Sequence, residues 1–330
     1  MTNRESSEET SIGLVVPVLN AARYLDAFLG SLERQTIRPT KFLAIDSSST
    51  DDTVERLRAF GAEVVVIPRA EFDHGGTRQR ALMHLPELDI VVFATQDVIF
   101  ADEFALERLV AGFSDPLVGA VYGRQIAHKN AKAIEIHSRE FNYPAEGHVR
   151  SEADIAVYGF RSTFLSNAFS AYRPSALIAV GGFPRRSIFG EDSYVTAKLI
   201  LAGWRIAYQA DARVHHSHDY TIAEEFRRYF DIGVFHSREP WIRESFGGAS
   251  GEGMHFVRSE LAFLSRTAPG LIPSALLRTC AKYAAYRMGR MEAKLPTALK
   301  RRLSMSRGFW NSSASVPAGS SAPAEVTLPS

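Results

Sequence analysis

Residues 90–97 read Ile90-Val91-Val92-Phe93-Ala94-Thr95-Gln96-Asp97. Five apolar residues in a row predict a strand buried on both faces, the kind that lies inside a helix-covered parallel sheet. The strand ends at a single carboxylate, and in open α/β sheets ligand chemistry gathers at the carboxyl ends of strands. A carboxylate there can hold a divalent cation against a diphosphate, because magnesium keeps water, one or two protein oxygens and phosphate oxygens around it. The plain alternative for Asp97 is a cap on the next helix.

Working back toward the N-terminus, apolar runs alternate with amphipathic stretches, which predicts βα units. Ile12 to Val18 reads as the first strand. Asn20 can cap a helix from Ala21 to Gln35, where Tyr24, Leu25, Phe28, Leu29 and Leu32 follow the helical period. Phe42 to Ile45 is the second strand, ending at Asp46, and a hydroxyl-rich turn leads into a helix from Thr53 to Ala59. Val64 to Ile67 is a third strand. Thr77 to Leu85 reads as a helix capped by Thr77 and broken at Pro86. The first strand runs into PVLNAA, which lacks the glycine fingerprint of dinucleotide enzymes, and no P-loop pattern is present.

The 330 residues are 45% hydrophobic and 23% charged, enough for a large core, and the net charge of +1 gives no general attraction to nucleic acid. One cysteine, Cys280, excludes internal disulfides and a cysteine-based zinc site. The polar start, MTNRESSEETS, has no apolar core of a signal peptide, and no apolar run reaches a membrane span, so a cytoplasmic protein is expected.

Five segments in order, VVPVLNAARYLDAFLGSLERQT, AIDSSSTDDT, FDHGGTR, TQD and GGFPRRSIFGEDSYVTAKLILAGWRIAYQADARVHHSHDY, resemble the glycosyltransferase family 2 enzymes over residues 10–240. FDHGGTR with TQD is similar to the rhamnosyltransferase branch, which moves L-rhamnose from dTDP-β-L-rhamnose onto glycans. The resemblance implies an α/β GT-A fold, Rossmann-like, with a mixed, mostly parallel sheet flanked by helices and a C-terminal helical extension. The expected layout is a flexible N-terminus (1–10), the catalytic domain (11–245), a basic helical extension (252–305) and a disordered tail (311–330).

Carried over residue by residue, the resemblance puts Pro17 and Asn20 beside the nucleotide and has Asp46 accept from a pyrimidine N–H. The second acid of the family's DDGS-like motif is here Ser47. Asp73, His74, Gly75, Arg78, Gln96 and Asp97 become donor contacts, with Arg78 offsetting charge on the leaving diphosphate. A glycine pair permits close backbone approach, and a helix N-terminus favours an anion. Only the last acid of the family's DXD-type motif is kept, at Asp97, so a Mg2+ or Mn2+ ion needs further ligands. His216 and His218 would point to the same side of an extended strand, with His215 facing away. Inversion needs a base for the acceptor hydroxyl. The family pattern gives that role to Asp192, with Glu191 orienting the acceptor or the loop. Trp204 and Phe169 are aromatic candidates for stacking on an acceptor sugar, against a default of core packing.

The partners implied are a nucleotide-sugar donor and a glycan or lipid-linked glycan acceptor of bacterial surface polysaccharide. A family member using a UDP- or GDP-sugar and a non-catalytic glycan-binding relative are the alternatives. Arg278, Lys282, Arg287, Arg290 and Lys294 lie on the second of two helices read between His255 and Leu303. That basic face suits anionic lipid at the inner face of the plasma membrane, a second copy of the chain, or plain solvent.

Overall fold

The computed structural model describes residues 10–85, 87–248 and 251–311. Expectations for the N-terminal tail, for Pro86 and for the tail from 312 onward lie outside them. In the first half, β1 (Ile12–Val18), α1 (Ala22–Glu33), β2 (Lys41–Asp46), α2 (Thr53–Ala59), β3 (Glu63–Val66), α3 (His74–His84) and β4 (Ile90–Ala94) follow in βα alternation. Next come β5 (Ile99–Phe100), α4 (Ala105–Ala111), β6 (Val118–Ile126), α5 (Ala133–Asn142), β7 (His148–Arg150), α6 (Ile155–Tyr158), β8 (Phe169–Tyr172) and α7 (Pro174–Ala179). The rest is α8 (Glu191–Leu201), β9 (Arg205–His215), α9 (Ile222–Arg238), α10 (Pro240–Phe246), α11 (Glu252–Thr267), α12 (Ile272–Arg290) and α13 (Thr297–Leu303).

The strands form one sheet in the order β3-β2-β1-β4-β8-β6-β9-β5, with β7 added on β9. The β3-β2-β1-β4 half is parallel, whereas β8 is antiparallel to both β4 and β6. Alternate side chains of a strand face opposite layers. Leu14, Val16 and Val18 of β1 therefore join Leu25, Phe28, Leu57 and Leu109 on one face, while Val15 joins Ala81, Leu177, Val195 and Phe230 on the other.

Three local expectations are corrected. Asn20 does not cap α1; its backbone is left-handed (φ 46°) and its side-chain oxygen accepts from the Thr50 amide at 2.9 Å. Asp73, not Thr77, caps α3, accepting from the Gly76 amide at 3.0 Å, so the helix starts three residues earlier. The C-terminal region holds three α-helices rather than two, and part of its basic character turns inward: Arg278 pairs with Glu225 at 3.0 Å and Lys300 with Glu292 at 2.6 Å.

Glycines let α9 and α12 touch backbone to backbone. A Cβ on Gly289 would lie 2.1 Å from the Phe230 carbonyl oxygen, and one on Gly233 2.3 Å from that of Tyr286. Beyond α13 the chain is held to α9 by Asp231, which accepts from the amides of Met305 (2.9 Å) and Ser306 (3.1 Å). Among the described residues no helix is long and apolar enough to cross a membrane.

Candidate active site

The carboxyl ends of β1 and β4, the N-termini of α3 and α8, and the inner face of α9 line part of an open trough of about 4880 Å3 that continues along α5 and α10 to α13. A small-molecule pocket takes roughly 300–1,000 Å3. The trough is several times larger than such a pocket.

At one side Asp97 meets two imidazoles. Its Oδ2 lies 3.5 Å from Nε2 of His216 and 3.7 Å from Nε2 of His218, as β9 runs out beside the turn after β4. His215 faces away, with its Nδ1 3.1 Å from the Ala127 carbonyl. Gln125, buried on β6, sets the tautomer of His216. Its amide nitrogen donates to Ser166 (2.9 Å), so its oxygen faces His216 Nδ1 (2.8 Å) and also accepts from Arg139 (2.9 Å). An amide oxygen only accepts, so Nδ1 carries a hydrogen and Nε2 is the nitrogen turned toward Asp97. Burial pushes His218 down to about 4, leaving it neutral at pH 7. Burial alone would raise the Asp97 carboxyl, but hydrogen bonding from His216 and the charge that ring carries when protonated outweigh it. One carboxylate and two imidazole nitrogens, all within 4.8 Å of one another, fit a divalent cation.

The N-terminus of α8 lines the same trough. Glu191 is buried and pairs with Arg78 of α3 at 3.0 Å. Asn167 donates to Glu191 at 3.2 Å, its oxygen being taken by the hydroxyls of Tyr172 (2.7 Å) and Ser170 (2.9 Å). Arg78 also donates to the His74 carbonyl at 2.9 Å and is 4% exposed. Glu191 holds the start of α8, the loop half of its expected role, and Arg78, which also lines the cleft, is paired with it. Asp192, half-buried, lines the cleft. Burial, then the negative charge of Glu191, push its carboxyl up to about 7. A group poised there suits general base work near neutral pH.

On the nucleotide side the expected residues divide. Pro17, Asp73, His74, Gln96 and Asp97 line the cleft. Asp46 does not; it is 1% exposed, and its oxygens accept from the amide and hydroxyl of Ser49. Asn20 serves the same turn. Gln96 commits its amide to Leu19, accepting from its N–H at 2.8 Å and donating to its carbonyl at 3.2 Å, so it shapes the loop after β1. Asp73 also accepts from the Arg186 amide at 2.7 Å, and the exposed His74 ring lies edge-on to Phe72. Gly75 is a packing glycine: a Cβ there would sit 2.0 Å from the Pro184 carbonyl oxygen. Neither acceptor aromatic reaches the cleft. Phe169 is fully buried in the sheet, edge-on to Phe100, and Trp204 packs over Gly119 against the core. Gln125 was missed, although a glutamine inside an otherwise apolar strand is a readable signal of a buried polar task.

A GT-A-like sheet with an acid-and-histidine cluster and a carboxylate of raised pKa in one cleft fits a glycosyltransferase scaffold. Residues 14–181 match the model of glycosyl transferase family 2, and the chain belongs to that family. It is 47% identical over 303 residues to the O-antigen chain rhamnosyltransferase WbaN of Salmonella anatum, covering 91% of this chain and 96% of that one. The O-antigen chain rhamnosyltransferase RfbN of Salmonella typhimurium is 45% identical over 301 residues, with the same coverage. Mannosyltransferase PcManGT from Pyrobaculum calidifontis, solved in complex with GDP-Man and Mn2+, shares the fold at a TM-score of 0.53 and 20% identity, over 92% of this chain and 86% of that one.

Proposed function

We infer that the chain is an inverting rhamnosyltransferase that moves L-rhamnose from dTDP-β-L-rhamnose to a glycan or lipid-linked glycan of bacterial O-antigen, working in the cytoplasm. The observation that carries the chemistry is Asp192, raised toward neutrality, in the same cleft as Asp97, His216 and His218. Asp192 takes the proton of the acceptor hydroxyl as its oxygen attacks the anomeric carbon. The Arg78–Glu191–Asn167 linkage holds the start of α8, fixing the direction from which that proton is removed. A bound divalent cation would supply Lewis acidity at the diphosphate. Two imidazole ligands favour Mn2+ over Mg2+, which prefers an all-oxygen shell.

Support for rhamnose comes from the two relatives, both O-antigen chain rhamnosyltransferases; thymidine rests on the resemblance of FDHGGTR with TQD, since Asp46 is engaged by Ser49. The test is a donor panel of dTDP-rhamnose, UDP-glucose and GDP-mannose with lipid-linked glycan acceptors and Mn2+ or Mg2+, reading released nucleoside diphosphate. Turnover of dTDP-rhamnose with Mn2+ is expected. Strong turnover of UDP-glucose with none of dTDP-rhamnose overturns the donor; no transfer from any donor overturns the catalytic reading.

A further inference from the structure

With Arg78 committed to Glu191, the charge on a leaving diphosphate needs another protein cation. Arg228 lies on the cleft side of α9, and among the described residues it makes neither an ion pair nor a hydrogen bond. Its guanidinium sits over the ring of Phe189 at 4.8 Å and 5.9 Å from the ring of Tyr220. Phe189 is followed by Gly190, Glu191 and Asp192, while the Tyr220 ring lies tilted 4.9 Å from that of His218. Arg228 thus bridges the ring beside His218 and the ring that leads into the N-terminus of α8, and it lies within electrostatic reach of His218. The carboxylates nearby on α9 are engaged elsewhere: Glu224 by Thr221, Glu225 by Arg278, Asp231 by Met305 and Ser306. A half-buried guanidinium resting only on aromatic faces is incompletely compensated and calls for an anion.

We propose that Arg228 binds the diphosphate of the nucleotide-sugar donor and stabilises it as leaving group. This rests on the transferase reading above. The acceptor oxygen bonds to the anomeric carbon while the bond from that carbon to the diphosphate oxygen breaks. The bonding pair stays on the diphosphate and the acceptor proton passes to Asp192, so one negative charge appears beside Arg228. A guanidinium fork matches two phosphate oxygens in a way an ammonium does not.

The test is calorimetric titration of the full chain with dTDP and with TMP, in EDTA and in Mn2+, for wild type, Arg228→Gln, Arg228→Lys and Arg227→Ala, the last a neighbour outside the cleft. Arg228→Gln is expected to weaken dTDP about ten- to a hundredfold, with a much smaller loss for TMP. Arg228→Lys should recover part of the loss, and Arg227→Ala should bind as wild type does. Equal losses for dTDP and TMP, or unchanged dTDP binding in both Arg228 variants, overturn the proposal. UDP and GDP are titrated in parallel. A wild-type preference for one of them displaces the thymidine assignment, and the arginine contrast is then read on that diphosphate and its monophosphate. Wild-type protein that binds no nucleoside diphosphate overturns both readings.

Discussion

Asp192 must be ionised to accept a proton, and its surroundings oppose ionisation. With its carboxyl pushed up to about 7, kcat/KM is expected to rise with pH up to about 7 and flatten above it. Glu191→Gln removes the adjacent negative charge while Arg78 stays positive, so that limb should move to lower pH; an unmoved limb would assign it to another group. Asp192→Asn should cost about 10^2–10^4-fold in transfer and leave nucleotide affinity intact, checked by single-turnover rates beside calorimetry. Gln125 acts through His216. Gln125→Leu frees the imidazole to turn, and Mn2+ affinity measured by titration should fall about 10–100-fold.

Among the elements, β1, β2 and β4 were legible because continuous apolar runs have one economical place, the inside of a parallel sheet. The start of α3 was not. Asp73 and Thr77 are both sound caps, and the choice rests on the Arg186 amide, which arrives from 113 residues away. The histidine pair was legible from its spacing, but its partner Gln125 was not, since that contact depends on the register of β6 against β9. Asp46 illustrates the opposite limit: a motif position can be right while Ser49, three residues on, occupies its oxygens. The α9–α12 crossing has its own test. Gly289→Ala drives a methyl into the Phe230 carbonyl and should cost about 1–3 kcal/mol in denaturant unfolding, with faster proteolysis of the C-terminal helices. Unchanged stability would mean the helices can part without loss.

Across the whole molecule, Asp231 fastens the last described segment onto α9, and burial raises its carboxyl to about 6. Between the unfolded value near 3.9 and that raised value the unfolded chain gives up the proton first. Stability from this group is complete at low pH and drains away as pH rises through about 6. Relative to Asp231→Asn, the wild-type unfolding free energy should therefore fall by up to about 3 kcal/mol from pH 4 to pH 7. Parallel curves for the two proteins would remove Asp231 from that role.

The Arg78–Glu191 pair has a consequence for recombination. Its members come from opposite halves of the chain, Arg78 on α3 and Glu191 at the start of α8, and both line the trough. A hybrid that joined the front of one homologue to the back of another would strand a buried charge unless both parents carried matching partners, a loss of about 3–5 kcal/mol. The two halves are therefore tied to one another here, and a designer who wants to shuffle them must move the arginine and the glutamate as one unit.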